Sequence, residues 1–122
     1  MATNNQSQFR AEFTLARRKE ESSRMREKHP DRIPVIVEKR DKSTLPNIDK
    51  RKFLVPYDLT FCQFIHVIRK RLRVEKDQAL FTFIDDNKLP PVGQMMSAIF
   101  EDSKNEDGFL YVTYTGENVF GV

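Results

Sequence analysis

The chain has 122 residues, 39% of them hydrophobic and 32% charged, a composition that predicts one globular domain and excludes a disordered chain. No apolar run approaches the roughly 18 residues that a membrane span needs, and the polar N-terminus does not resemble a signal peptide. The single cysteine, Cys62, excludes an intrachain disulfide and favours a reducing compartment. Its neighbours Phe61 and Phe64 predict that Cys62 is a small buried hydrophobe.

Charge is unevenly distributed along the chain. The formal net charge is +3, but residues 1–52 hold 14 Lys/Arg against 8 Asp/Glu, whereas residues 53–122 hold 7 against 10. A basic first half favours acidic partners, which include acidic peptides, anionic lipid, tubulin-like surfaces and nucleic acid. Nucleic acid is disfavoured, because four glutamates between residues 12 and 27 alternate with the basic residues and interrupt a phosphate-tracking stripe.

The first half predicts a helix followed by two strands. Residues 1–8 are expected to form a flexible lead, and residues 9–28 a helical segment without a break, since they contain no Gly or Pro. Its apolar stripe consists of Phe9, Phe13, Ala16 and Met25. Because this stripe is thin, we expect the segment to dock on a core formed elsewhere. Strands are expected over 33–39 and over Lys52–Pro56. The first contains a continuous β-branched run that suggests burial on both faces, with Pro34 near its beginning.

Residues 60–72 carry the clearest local pattern. Thr60 and Gln63 form a capping box, and apolar residues recur at helical spacing after it. This pattern predicts an amphipathic helix. Four further elements are predicted, in order: a strand over 80–84, a turn-rich loop over 85–91, a short helix over 94–102 and a strand over 109–115.

This order of elements predicts the fold. Two strands, one long helix and then further strands in about 90 residues are typical of a β-grasp, an α+β fold with helices packed on one face of a mixed sheet. We therefore expect a four-stranded β-grasp domain with two packed helices over 29–116. The additional N-terminal helical segment would lie in front of it, and a flexible tail would cover 117–122.

No pattern associated with catalysis or metal binding is present. The sequence contains no Cys-x-x-Cys, no His-Glu-x-x-His and no glycine loop that would cradle phosphate. We therefore expect no enzymatic activity, no metal and no cofactor.

Two features suggest binding functions. Gly121 lies one residue from the end of the sequence, where the lack of a Cβ would let a tail enter a narrow active-site channel. Taken alone, such a glycine is more typical of a loose chain end. The strand Lys52–Pro56 has apolar residues on both faces. It is either an ordinary core strand or, at the edge of a sheet, an acceptor for an added peptide strand.

Several ordered motifs run from about Phe9 to the end of the chain. They are HPDRIPVIVEK (29–39), KFLVPYDLT (52–60), IRKRL (68–72), ALF (79–81), LPP (89–91), FLYVTY (109–114) and the final Phe-Gly. Together they resemble the autophagy ubiquitin-like modifiers, and most closely the GABA-receptor-associated-protein branch of that family. The resemblance implies a ubiquitin-like version of the β-grasp fold.

The resemblance also implies a function. A processing cysteine protease would trim the tail, activating and conjugating enzymes would carry the chain as thioesters, and Gly121 would be amide-linked to phosphatidylethanolamine. The modifier would recruit receptors with aromatic-x-x-aliphatic motifs and support autophagosome formation. It would be cytoplasmic, and on the autophagosome membrane when lipidated. The alternative is an unconjugated adaptor of the same fold that tethers tubulin or trafficking proteins.

Site residues follow from the same resemblance. Conjugation and cleavage would involve Phe120, Gly121 and Val122. An aromatic pocket would be formed by Glu21, Met25, Pro34, Ile36, Lys52, Leu54 and Phe109. An aliphatic pocket would be formed by Phe53, Val55, Pro56, Leu59, Phe64 and Val67. Arg32 and Arg71 would meet acidic flanks of the motif, and Phe81 and Arg71 would lie where the processing and activating enzymes dock.

Overall fold

Four helices and four strands make up the described part of the chain. The computed structural model describes residues 7–85 and 87–117. Its elements are α1 (Gln8–Glu12), α2 (Leu15–Lys28), β1 (Arg32–Lys39), β2 (Lys52–Pro56), α3 (Phe61–Leu72), β3 (Phe81–Ile84), α4 (Met96–Ser103) and β4 (Leu110–Thr115). All four strands and the long helix α3 were predicted, with ends that agree to within one residue.

The strands form one mixed sheet in the order β2-β1-β4-β3. The central strands β1 and β4 are parallel, whereas β2 and β3 pair antiparallel with them and form the two edges. Helix α3 connects the first hairpin to the rest of the sheet, which is the predicted β-grasp arrangement.

Strand β1 is buried on both faces, as its β-branched run predicts. Val35 and Val37 point to one face, the α3 face, where they join the core formed with α3 and α4. Ile36 points to the opposite face, the α2 face, where it packs with Phe9 and Phe109 under α1 and α2. The two packed helices α3 and α4 therefore cover one face, as expected, and the additional N-terminal helices cover the second.

Pro34 lies at the third position of β1 without interrupting the sheet. The Val37 amide donates to the carbonyl of Arg51 at 2.7 Å, so alternation along the strand directs the Pro34 nitrogen away from β2. Pairing with β4 starts one residue later, at Val35 opposite Leu110. The missing N–H of proline therefore removes no hydrogen bond from the sheet.

The N-terminal segment contains two helices and not the single one predicted. Helix α1 ends before Phe13, which is extended with φ −124° and ψ 140°. The Thr14 hydroxyl then caps α2 by accepting from the Arg17 amide at 3.2 Å. The predicted stripe is wrong at Ala16, which is exposed, whereas Leu15 is half-buried.

Helix α1 is fixed by a contact from the sheet. Ser7 is buried, caps the helix by accepting from the Arg10 amide at 3.2 Å, and donates its hydroxyl to Glu38 at 2.6 Å. The Glu38 carboxylate also accepts the Phe9 amide at 2.8 Å. Residues 7 and 8 of the predicted lead thus belong to the folded part, while residues 1–6 lie outside the described residues.

Helix α3 has the predicted capping box. The Thr60 hydroxyl accepts from the Gln63 amide at 3.2 Å, and the Gln63 side chain accepts from the Thr60 amide at 2.9 Å. The buried stripe of the helix consists of Phe61, Phe64, Ile68 and Leu72. Cys62 is exposed, so its predicted burial is wrong. It is turned about 100° from Phe61 on a helix of 3.6 residues per turn and falls outside the buried stripe.

Candidate functional site

The outer side of β2 is an open hydrogen-bonding edge. The bond between the Val37 amide and the Arg51 carbonyl fixes which residues of β2 point towards β1. By alternation, the backbone N–H and C=O groups of Lys52 and Leu54 point away from β1, on the side where no strand of residues 7–85 or 87–117 pairs with β2. These groups can bind the backbone of an added strand.

The residues predicted to form the aromatic pocket lie together on the α2 face of this edge. Across the β1–β2 pair, Lys52 lies opposite Ile36 and Leu54 lies opposite Pro34. Ile36 and Phe109 are fully buried, so they can form only the floor of a pocket. Pro34 is also buried.

An ion pair joins β2 to α2 within this group of residues. The Lys52 ammonium of β2 contacts the Glu21 carboxylate of α2, and both side chains are partly exposed. Met25 and Leu54 are both half-buried. A ring entering from solvent would have to displace Lys52, which costs little because exposed ion pairs contribute about 0–1 kcal/mol.

Most of the residues predicted to form the aliphatic pocket lie on the α3 face of the same edge, whereas Pro56 falls by alternation on the other face, with Lys52 and Leu54. Phe53, Val55 and Phe64 belong to the core, and the rings of Phe53 and Phe64 meet edge to face at 5.8 Å. Leu59 is half-buried and Val67 is 37% exposed, so these two residues offer accessible apolar surface. The edge strand β2 therefore runs between two apolar groups, one on each face of the sheet.

The two charged residues predicted to meet acidic flanks lie at opposite ends of β2. Arg32 is exposed opposite Pro56, where the strand ends. Arg71 is exposed at the end of α3 and pairs with Asp49 at 3.5 Å, just before the strand begins. Sequence reasoning missed Lys50, whose ammonium lies 5.2 Å from the centre of the Phe53 ring and adds a further cation beside this edge.

Phe81 lies on a different element from Arg71. It belongs to β3, the opposite edge strand, and is paired with Thr115 at the end of β4. Arg71 lies at the end of α3 beside Asp49, so the two residues belong to different elements. The structure places Phe81 beside the base of the C-terminal tail, whereas Phe120, Gly121 and Val122 lie outside the described residues.

A buried ion pair that the sequence analysis missed holds α2 on the sheet. Asp107 is 1% exposed, and its carboxylate accepts from the Arg18 guanidinium at 2.5 Å, the Tyr111 hydroxyl at 2.6 Å and the Phe109 amide at 2.9 Å. The Ser22 hydroxyl donates to the Asp107 carbonyl at 2.5 Å. These contacts position the helix that supplies one wall of the aromatic-pocket group.

The pKa of Tyr111 and the backbone of Gly108 both reflect the close packing around Asp107. Burial, and next the hydrogen bond to Asp107, raise the pKa of Tyr111 well above its ordinary value. Gly108 adopts φ +90°, and a Cβ at this position would collide with Ser22. The Asp107-Gly108 dipeptide signals a turn in the sequence, but nothing local indicates its partner Arg18, 89 residues away.

Within residues 7–85 and 87–117, no group of three or more His, Cys, Asp or Glu is placed to hold a metal ion. Over the same residues, no helix combines the length and apolarity needed to cross a membrane.

Comparisons with known proteins identify the family. The family described as "Autophagy protein Atg8 ubiquitin like" matches residues 17–121. Autophagy-related protein 8e of Arabidopsis thaliana is 58% identical over 113 residues, covering 93% of this chain and 92% of the relative. Autophagy-related protein 8 of Schizosaccharomyces pombe is 58% identical over 115 residues, covering 94% of each.

A solved structure extends the match to the fold. The crystal structure of Trypanosoma brucei ATG8 superposes with a TM-score of 0.86 at 43% sequence identity, covering 95% of this chain and 99% of that one. The fold is therefore the ubiquitin-like β-grasp that the sequence predicts, and the chain belongs to the Atg8 family of ubiquitin-like autophagy proteins.

Proposed function

We propose that this chain is a modifier without enzymatic activity of its own, conjugated through Gly121 to phosphatidylethanolamine, that recruits receptors and supports autophagosome formation. Membership of the Atg8 family supports this proposal, and Gly121 is the last residue of the family match. A processing cysteine protease would remove Val122, and activating and conjugating enzymes would transfer the exposed glycine carboxylate to the lipid amine. The chain would be cytoplasmic before conjugation and bound to the autophagosome membrane after it.

The lipid would supply the membrane anchor. Each buried CH₂ contributes roughly 0.8 kcal/mol, and a single acyl chain gives only marginal binding. The two chains of a phospholipid would therefore hold the protein firmly. The excess of Lys and Arg in residues 1–52 would add a salt-sensitive attraction to anionic lipid.

The open edge of β2 between two apolar groups is the observation that carries the receptor-binding part of the proposal. A receptor segment with an aromatic-x-x-aliphatic motif would add as a strand and exchange backbone hydrogen bonds with Lys52 and Leu54. Its aromatic side chain would enter on the α2 face, and its aliphatic side chain would rest on the α3 face near Val67. Acidic residues flanking the motif would meet Arg32 and Arg71 at the two ends of the strand.

Conjugation is tested by mass spectrometry of the protein isolated from starved cells. We expect the membrane fraction to contain a species that has lost Val122 and gained a diacyl phosphatidylethanolamine, because lipidation requires a free Gly121 carboxylate. The cytosolic fraction of the same cells is the control and should contain the unlipidated chain. Membrane-bound protein of unchanged mass would instead favour the unconjugated adaptor.

The groove is tested by replacing Leu54 with alanine. Burying an apolar side chain contributes roughly 1.5–3 kcal/mol, and 1.4 kcal/mol is a factor of ten in affinity. We expect calorimetric binding of an acidic Trp-x-x-Leu peptide to weaken about tenfold to a hundredfold. Phe53 is a poorer test, because it lies in the core beside Phe64 and its loss would also destabilise the fold.

A matched control for the groove test is available on a distant loop. Leu89 is 57% exposed and lies far from β2 in the chain, so Leu89→Ala should leave the affinity of the peptide unchanged. Equal affinities for Leu54→Ala and Leu89→Ala would remove the groove from this edge.

A further inference from the structure

The base of the C-terminal tail is attached to the loop between β1 and β2. The Gly116 amide donates to the Ser43 hydroxyl at 3.2 Å, and the Leu45 amide donates to the same oxygen at 3.2 Å. Gly116 lies so close to the loop that a Cβ there would be 2.9 Å from Leu45 Cγ. Ser43 and Leu45 are both buried, so this side of the contact belongs to the rigid part of the domain.

Glu117 adds further hydrogen bonds to this attachment. Its carboxylate accepts from the Thr44 amide at 3.3 Å, from the Thr44 hydroxyl and from the Thr115 hydroxyl at 2.9 Å. Thr44 is exposed and lies 73 residues away in the sequence. We call the contacts of Ser43, Thr44 and Leu45 with Gly116 and Glu117 the tail clamp.

The tail clamp favours the ionised form of Glu117. The hydrogen bond from the Thr44 hydroxyl, followed by that from Thr115, lowers the pKa of Glu117 below its ordinary value of about 4.5. The stabilising contribution of a carboxylate with a lowered pKa is fully present above the ordinary value. It is lost only as pH falls through the lowered one.

The tail clamp fixes the point from which the chain leaves the domain. Residues 118–121 connect Glu117 to the Gly121 carbonyl. A fully extended chain of four residues spans at most about 14 Å. An enzyme that acts on the Gly121 carbonyl must therefore hold its reactive group within that distance of Glu117. Thr115 and its neighbour Phe81 in β3 lie at the start of this path.

We propose that Glu117 is a positioning residue for enzymes that act on Gly121, and that Thr44 holds it in place through the tail clamp. This role rests on the proposed conjugation through Gly121. With the tail clamp formed, the tail leaves the domain at a fixed position, so an enzyme docked on the domain finds the tail there. With it open, two more residues must be ordered when the enzyme binds, which weakens binding but leaves the chemistry at Gly121 unchanged.

The experiment is steady-state trimming of the full chain by a purified processing cysteine protease, with release of Val122 followed by mass spectrometry. Glu117→Ala and Thr44→Val should each raise KM about tenfold and leave kcat unchanged. Thr44→Ser keeps the hydroxyl and should behave as the wild type. Because both residues act through one contact, the double variant should be no worse than either single variant.

Thr44→Val separates positioning from direct recognition. Thr44 is not part of the tail, so a protease that simply reads the Glu117 side chain would be slowed by Glu117→Ala alone. Amide hydrogen exchange provides the structural control. Exchange at the Thr44 amide, which donates to the Glu117 carboxylate, should accelerate in Glu117→Ala, while exchange in α3 should stay as in the wild type.

The possible failures can be told apart. If the wild type is trimmed but Thr44→Val has an unchanged KM, the positioning role is overturned and the conjugation proposal stands. If the wild-type chain is not trimmed after Gly121, the conjugation proposal fails and the positioning role fails with it.

Discussion

Replacing Gly121 with alanine is expected to abolish both trimming and lipidation while leaving the stability of the protein unchanged. A Cβ at the scissile residue would obstruct a channel narrow enough to select glycine, so neither the protease nor the activating enzyme could use the tail. Gly121 lies beyond the last described residue, Glu117. Lipidation would be followed by mass spectrometry, and stability by urea denaturation.

Gly93→Ala is the matched control for this substitution. No atom lies within 4 Å of a Cβ built at Gly93, so alanine fits there without strain, and lipidation should proceed at the wild-type rate. A chain that ends at Gly121 should bypass the protease and still be lipidated. Gly121→Ala protein that acquired an amide-linked lipid at the wild-type rate would contradict the proposed function.

Replacing Asp107 with alanine is expected to lower the free energy of unfolding by about 3–5 kcal/mol, the usual loss when one partner of a buried ion pair is removed. The substitution leaves the Arg18 guanidinium, the Tyr111 hydroxyl and the Phe109 amide without their acceptor in the interior. The loss would be measured by urea denaturation. Hydrogen exchange should also accelerate in α2, because the contact ties that helix to the sheet.

Glu101→Ala tests whether burial of the ion pair is the reason for the large loss of stability expected in Asp107→Ala. Glu101 pairs with Lys104 at 3.3 Å, but both side chains are largely exposed, and exposed pairs contribute about 0–1 kcal/mol. The Glu101 variant should therefore unfold within about 1 kcal/mol of the wild type. Equal losses for the Asp107 and Glu101 variants would show that the buried network does not stabilise the fold.

Elements whose signals are local could be predicted from the sequence. Helix α3 is fixed at its start by Thr60 and Gln63, which are three residues apart, and its burial follows from a stripe at helical spacing. The continuous β-branched run of β1 predicts burial on both faces, and such burial predicts a central strand. The side chains of β2 also alternate as predicted, with Phe53 and Val55 on the α3 face and Lys52 and Leu54 on the α2 face.

Features that depend on distant pairs could not be predicted in the same way. Ser7 meets Glu38 across 31 residues, and Asp107 meets Arg18 across 89. Turn and helix patterns indicate neither partner. The break between α1 and α2 did have a local signal, since Thr14 is a good helix cap, but the absence of Gly and Pro favoured one continuous helix.

The open edge of β2 also bears on self-association of the protein. Unpaired strand edges template fibrillar pairing between identical chains, and proteins commonly protect them with lysine and proline. Strand β2 begins at Lys52, just after Lys50, and ends at Pro56, which has no N–H to donate. Two copies paired parallel and in register along β2 would place each lysine beside its own counterpart. The edge therefore favours a short foreign strand with acidic neighbours and resists growth into a fibre of its own copies.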